Sequence, residues 1–172
     1  EKNKRNGKNN GNRITTNRNK NANGSNNLKR ESNVVLKSKL VRNFLNLLID
    51  VKIYHWKTYS YAEHKATDEL YASLNENIDK FVEVMLGKNG KRLDMKEKKI
   101  KIIDPNGKNE FLVMMRDYRE LIERDIDKYI SMNSNTDLSS IRDDILADIN
   151  KFMYLSTFHI SILSIYLSIS LT

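Results

Sequence analysis

Residues 34–55 read VVLKSKLVRNFLNLLIDVKIYH, a stretch in which apolar residues recur every three or four positions. That spacing places them on one face of an α-helix, while most of the Lys, Arg, Asn and Ser residues between them lie on the other face. The apolar face consists of Leu36, Leu40, Val41, Phe44, Leu47, Leu48, Val51 and Tyr54. The stretch therefore predicts an amphipathic helix that packs against a core.

Three segments downstream carry the same period and predict three more helices, at about 61–86, 109–132 and 136–157. The last of them begins at a capping signal formed by Thr136 and Asp137. The apolar faces consist of Leu70, Leu74, Ile78, Phe81 and Met85 in the first segment, Phe111, Met115, Tyr118, Leu121, Ile122, Ile126 and Tyr129 in the second, and Leu138, Ile141, Ile145, Ile149 and Phe152 in the third. The chain is thus predicted to be all-α.

The lengths of the connections predict how these helices are arranged. The first and second helices are joined by a few residues, as are the third and fourth, so each pair should be antiparallel neighbours. The second and third are separated by residues 87–108, which contain the turn signal DPNG at 104–107. The alternating segment 98–103 within this connection is compatible with a short strand or an extended crossover. Two hairpins with one long connection match the outline of a ferritin-like four-helix bundle.

Composition excludes several other classes of protein. The 172 residues include no Cys, one Pro and six Gly. This excludes a disulfide scaffold, thiol catalysis, zinc fingers and collagen-like chains. Because a chain without cysteine is compatible with a reducing cytosol, we expect a cytoplasmic protein.

The positive charge is concentrated in residues 1–33. This stretch holds nine basic and two acidic residues, a net charge of +7 out of +8 for the whole chain, together with twelve Asn. It contains too little apolar surface to form a core, so we expect a disordered tail. The tail either binds the phosphates of nucleic acid without sequence preference or is simply solvated. Its basic residues are Lys2, Lys4, Arg5, Lys8, Arg13, Arg18, Lys20, Lys29 and Arg30.

Five residues that can bind a metal lie at the end of the first helix and along the second. They are His55, His64, Asp68, Asp79 and Glu83. At about 100° per residue, the last four form a stripe on the second helix that is separate from its apolar face. From position 64 to position 83 the stripe is about 28 Å long, which is too long for one site.

A two-fold axis would resolve this difficulty. Positions 64 and 83 sum to 147, as do positions 68 and 79. Two antiparallel copies of the second helix, related by an axis near residues 73 and 74, would place Asp68 of one copy beside Asp79 of the other. The same axis would place His64 beside Glu83. Each of the two equivalent clusters would combine imidazoles with carboxylates, a set that suits iron, manganese or zinc.

These motifs resemble those of the Dps-type mini-ferritins. The resemblance rests on IYHW at 53–56, HKATDELY at 64–71 and DKFVE at 79–83. It implies that His55, His64 and Asp68 of one chain, with Asp79 and Glu83 of a neighbour, bind iron between two subunits.

The same resemblance implies a wider set of properties. Members of the family form hollow dodecamers, oxidise Fe(II) with peroxide and store ferric mineral. A lysine-rich N-terminal arm that holds DNA is common among them, and the tail at 1–33 resembles it. The bundle also resembles ferritin-like proteins of large DNA viruses. Besides the cytoplasm, the nucleoid and a virion are therefore expected locations.

Two other functions remain open from the sequence. One is a non-catalytic structural or virion packaging protein that has lost iron chemistry. The other is a membrane-tethered bundle, because residues 152–172 carry no formal charge and are long enough to span a bilayer. Since Ser residues interrupt that stretch, we expect 158–172 to be an apolar extension of the last helix buried in an oligomer. We expect Trp56 to anchor the first loop to the core.

Overall fold

The computed structural model describes residues 16–88, 90–133 and 136–158, and it describes side chains from residue 32 onwards except those of 132 and 133. The secondary structure in these residues is helical, and no strand occurs among them. The four helices are α1 (Thr16–Lys57), α2 (Tyr61–Gly87), α3 (Lys108–Asn133) and α4 (Asp137–Leu155). The all-α class and the four predicted helices are thereby confirmed.

The helices pack around one hydrophobic core. The α2 helix contacts α1 and α4, and the α3 helix contacts the same two. Every residue assigned to an apolar face from the sequence is buried, except Leu121, which is partly exposed. Edge-to-face aromatic pairs join the helices, with ring centroids 5.4 Å apart for Phe44 and Phe81 and 5.6 Å apart for Phe111 and Phe152. Each such pair adds about 0.5–1.5 kcal/mol to the stabilisation from burial.

The connection between α2 and α3 is extended and follows α1. The Oγ of Ser38 accepts hydrogen bonds from the backbone N–H groups of Lys96 and Glu97, at 2.8 and 3.2 Å. Further along, the Asp50 carboxylate accepts the N–H of Ile103 at 2.9 Å. Within 98–103 the N–H groups of Lys101 and Ile103 bond to side chains of α1, and the segment forms no strand. Of the two conformations that the sequence left open, the extended crossover is therefore the one observed. At the end of the connection, the Lys108 ammonium lies 3.8 Å from the Glu63 carboxylate near the start of α2.

The first helix begins earlier than its apolar pattern predicts. It starts at Thr16 rather than near Val34, so residues 16–33 of the stretch expected to be disordered are helical. No Pro interrupts this part of the sequence. A nucleated helix gains one backbone hydrogen bond for each residue added, which favours extension of α1 towards the N-terminus against the low helix propensity of the Asn and Gly residues in this stretch. Residues 1–15 lie outside the described part of the chain.

The sequence predicts that Trp56, at the end of α1, anchors the first loop to the core. The Trp56 side chain is 70% exposed, so the prediction that it anchors the loop to the core is wrong. Its place is taken by Tyr54, which is buried and stacks on Phe111 with ring centroids 3.9 Å apart.

Among the described residues, no helix is both long and apolar enough to cross a membrane. The apolar residues 159–172 lie outside that part, so their expected burial stays a prediction.

Candidate metal centre

The fold brings two histidines together where α1 ends and α2 begins. His55 is buried, with 6% of its surface exposed, and His64 is half-buried on the second turn of α2. Their rings stack with centroids 3.9 Å apart and an angle of 24° between the ring planes. The pairing of these two residues, which the sequence predicts for one metal cluster, is therefore present within a single chain.

Reciprocal hydrogen bonds hold the two imidazoles. The Nδ1 of His55 lies 3.0 Å from the backbone oxygen of His64, and the Nδ1 of His64 lies 3.1 Å from the backbone oxygen of His55. A carbonyl oxygen only accepts hydrogen bonds, so each Nδ1 must carry the proton and donate it. In the neutral rings, the two Nε2 atoms are then left with their lone pairs.

Thr67 reinforces this orientation. Its hydroxyl lies 2.7 Å from the backbone oxygen of Glu63, to which it donates, and 3.2 Å from the Nδ1 of His55. The hydroxyl oxygen can therefore accept a second, bifurcated hydrogen bond from the Nδ1–H group of His55. Histidines that bind metals in proteins are commonly held in this way, with one ring nitrogen donating to the protein and the other available as a ligand.

Asp68 lies next to the histidine pair. Its Oδ1 is 4.0 Å from the Nε2 of His55 and 3.7 Å from the ammonium of Lys52. That ammonium also lies 4.8 Å from the centre of the Tyr71 ring. Within one chain, the exposed Asp68 carboxylate is therefore neutralised by a lysine, which a bound cation would have to displace.

Asp79 and Glu83 lie farther along α2, and the structure does not bring them to the histidines. Both are exposed, and no described residue makes a hydrogen bond or ion pair with either. Asp79 lies about 16 Å along the helix from Asp68. Within the described residues, no three His, Asp or Glu side chains are placed to hold one metal ion. The prediction assigns these two acids to a second copy, so it is not tested by one chain.

A network around Glu63 fixes the turn that positions both histidines. The Glu63 carboxylate accepts hydrogen bonds from Tyr54 Oη at 2.6 Å and Thr58 Oγ1 at 2.8 Å. Burial, and then the hydrogen bond to Glu63, raise the pKa of the Tyr54 hydroxyl. The backbone N–H of Glu63 donates to the Oγ of Ser60, which caps α2. This network was not predicted from the sequence, although Ser60 and Glu63 have the spacing of a capping box.

The side chains predicted to bind nucleic acid all lie before residue 32, where the described side chains begin. Positions 2, 4, 5, 8 and 13 lie outside the described residues. Arg18, Lys20, Lys29 and Arg30 lie on α1, but their side chains are not described. Their role in binding stays a prediction.

Comparison with known proteins gives a family but no activity. Residues 55–155 match a family of unknown function, DUF5856. The matched region begins at the first histidine of the pair and ends with α4, so it includes all five candidate ligands. No curated protein and no solved structure matches the chain.

Proposed function

This chain belongs to DUF5856, a family of unknown function, and we propose from its geometry that two copies bind Fe(II) between them and oxidise it. The proposal rests above all on the His55–His64 pair. Each ring donates its Nδ1 proton to a backbone oxygen, which leaves each Nε2 with a lone pair, and the Asp68 carboxylate lies 4.0 Å from the Nε2 of His55. This is the tautomer that metal-binding histidines in proteins commonly adopt, with one ring nitrogen donating to the protein and the other available to a metal.

The arrangement of the helices supports a ferritin-like bundle. The extended connection passes Ser38, then Asp50, and ends with Lys108 near the start of α2. It therefore returns along α1 to the end of the bundle at which α2 begins. In this arrangement α2 and α3 run in the same direction, and each contacts α1 and α4. A single long crossover between two hairpins is the connectivity of ferritin-like folds.

The two-fold axis near residues 73 and 74 would complete the site. Asp79 and Glu83 of a second copy would face the histidine pair and Asp68 of the first. Five ligands, two of them nitrogen and the others carboxylate, suit iron, with manganese or zinc as alternatives. Three carboxylates gathered at one point repel each other, so a bound cation would also stabilise the contact between the copies. A larger assembly, such as a dodecamer, is compatible with this dimer and is part of the proposal.

In this reaction Fe(II) is the substrate. The histidine Nε2 atoms would hold it as neutral donors, while the carboxylates of Asp68 and Glu83 would balance the charge that increases on oxidation. Each Fe(II) gives one electron to peroxide or dioxygen. With peroxide, two electrons break the O–O bond, and two protons complete two water molecules. The Lys52 ammonium, released from Asp68 when iron binds, would return to that carboxylate when the ferric product leaves.

Removal of two carboxylates tests the proposal. We expect Asp68→Ala combined with Glu83→Ala to lower the rate of Fe(II) oxidation by more than about tenfold, because the metal loses two of its anionic ligands. The rate is measured from Fe(III) absorbance after peroxide is added to anaerobic protein. Both side chains are exposed, so circular dichroism should show an intact helical fold.

Glu120→Ala combined with Glu123→Ala provides the matched control. It also removes two exposed acids, but from α3, and should oxidise iron at the native rate. Oxidation at the native rate by the Asp68 and Glu83 variant would contradict the metal site. A structural or packaging bundle would then be the better description.

The distribution of charge supports a second activity in the same protein. Of the net charge of +8, +7 belongs to residues 1–33. We propose that this segment binds nucleic acid through phosphate contacts without sequence preference. The candidate metal centre does not depend on it.

A further inference from the structure

Three aromatic side chains are exposed where α1 turns into α2. Trp56 is 70% exposed, Tyr61 is 75% exposed, and Tyr59 is completely exposed. We call residues 56–61 the aromatic turn. Three large aromatic side chains exposed within a segment of six residues are uncommon on a monomer. They are typical of a surface that a partner covers.

The aromatic turn lies on the same side of the bundle as the candidate metal centre. The Lys52 ammonium is 5.9 Å from the centre of the Trp56 ring and 3.7 Å from the Asp68 carboxylate. Tyr61 precedes Asp68 by two helical turns and therefore lies on the same face of α2. Any partner that reaches Asp68 along this face would also meet the aromatic turn.

The opposite end of α2 carries complementary groups. Positions 61 and 86 sum to 147, the same sum that relates 68 to 79. Leu86 is a partly buried apolar residue on the same face of the helix, and the exposed Lys91 and Arg92 follow the helix end. In an antiparallel pair of α2 helices, the residues that follow one helix lie beside those that precede the other. Lysine and arginine bind favourably to the faces of Trp and Tyr.

We infer that the aromatic turn of one copy packs on Leu86, Lys91 and Arg92 of a second copy, so that two such contacts close the dimer on either side of the metal centres. The inference rests on the two-fold axis of the proposed function. It adds a contact that requires no metal ion. A second copy is favoured over a nucleic acid as the occupant, because Lys52 and Lys57 already pair with Asp68 and Asp104. In the metal-free chain these two lysines beside the rings are therefore already paired with carboxylates.

Cysteine pairs test the register of this contact. The native chain has no Cys, so a chain with Tyr61→Cys and a separate chain with Leu86→Cys each carry one thiol. Because the two thiols are on separate chains, a disulfide between positions 61 and 86 must join two copies. Mixed and oxidised in the presence of a chelator, the two chains should form a covalent heterodimer. Ala72→Cys in place of Leu86→Cys is the register control and should give little heterodimer.

Two outcomes would overturn the inference. One is the absence of the 61–86 heterodimer, and the other is cross-linking to position 72 that is equally efficient. Because the chelator removes metal ions, iron oxidation is measured separately on the native chain. A dimer with this register and no iron oxidation would reject only the metal chemistry. Iron oxidation without the cross-link would reject only the contact.

Trp56 is the only tryptophan of the chain and reports the same contact without a cross-link. As the concentration of the metal-free protein rises, its emission should shift to shorter wavelength and its quenching by iodide should fall at least twofold. Tyr61→Ala combined with Lys91→Glu should move both transitions to higher concentration. Tyr154→Ala, which removes an exposed ring from α4, should not. Emission that is independent of concentration, with native dimers present by sedimentation, would place the contact elsewhere.

Discussion

At the scale of single residues, Asp148 makes the stability of the bundle depend on pH. Burial raises the pKa of this carboxyl, and the neighbouring Asp144 and Glu76 raise it further, while the hydrogen bond from Asn77 Nδ2 at 2.8 Å opposes them. The folded chain therefore holds the proton more tightly than the unfolded chain. The stability associated with this group is greatest below the ordinary pKa of Asp and decreases as the pH rises through the raised value.

Asp148→Asn removes the charge and should raise the melting temperature at pH 7. The advantage over the native chain should shrink as the pH falls below about 4 and approach zero near about pH 3, where Asp148 is mostly protonated in both folded and unfolded chains. Thermal unfolding followed by circular dichroism at both pH values measures the difference. Asp117→Asn, at an exposed position on α3, is the control and should change the melting temperature little. A lower melting temperature for Asp148→Asn at pH 7 would mean that the bond from Asn77 outweighs burial.

Sequence patterns predicted which residues are apolar and buried better than they predicted which polar residues are buried. The apolar spacing identified the core almost completely. It missed Asp50, which is completely buried, although this acid stands among apolar residues next to Val51. It also misplaced Trp56, because an aromatic residue at a helix end packs inward or outward according to its neighbours. Tyr54 already fills the space over Phe111.

At the scale of elements, Asp50 joins three parts of the fold. Its carboxylate accepts the backbone N–H of Ile103 and, at 2.6 Å, the hydroxyl of Tyr118, so it links α1 with the connection and with α3. Asp50→Ala leaves both donors without their acceptor. We expect it to lower the free energy of unfolding by about 2–3 kcal/mol, measured by urea denaturation.

A nearby residue provides the matched comparison for Asp50. The half-buried Asn46 accepts the N–H of Lys101 at 3.3 Å in a hydrogen bond that is exposed to solvent, so water can replace the side chain. Asn46→Ala should therefore change stability by no more than about 0.5 kcal/mol. Equal losses from the two variants would show that the connection does not depend on the buried carboxylate.

The boundaries of α2, α3 and α4 were predicted to within about two residues, because short polar turns interrupt the apolar pattern at their ends. The start of α1 was not predicted, because residues 16–33 carry no apolar pattern that could mark it. The path of the connection was open as well, since alternating residues suit a strand and an extended segment equally. It depends on acceptors that α1 supplies, such as Ser38 and Asp50, and local sequence does not contain that information.

At the scale of the whole molecule, the two halves of the candidate site differ in what the sequence could predict. The proximity of His55 and His64 follows from a short turn between two helices, and the structure contains it. The hydrogen bonds that set their protons depend on backbone geometry that the motif does not specify. The positions of Asp79 and Glu83 relative to the histidines depend on a second chain. Their spacing predicts that chain's orientation, and the cross-linking experiment tests it.

The charge of the whole molecule is divided between a nearly neutral bundle and a strongly basic N-terminal segment. Removal of residues 1–33 lowers the net charge from +8 to +1. It should abolish gel-shift binding to duplex DNA, whereas removal of 1–15 alone should weaken binding and leave α1 intact. Binding by the full chain should fall at least about tenfold between 50 and 200 mM salt, because phosphate contacts release counterions. Lys98→Ala with Lys99→Ala removes two exposed lysines from the connection and should change binding little. Undiminished binding without residues 1–33 would assign the nucleic-acid contact to the bundle, where positive and negative charges nearly balance.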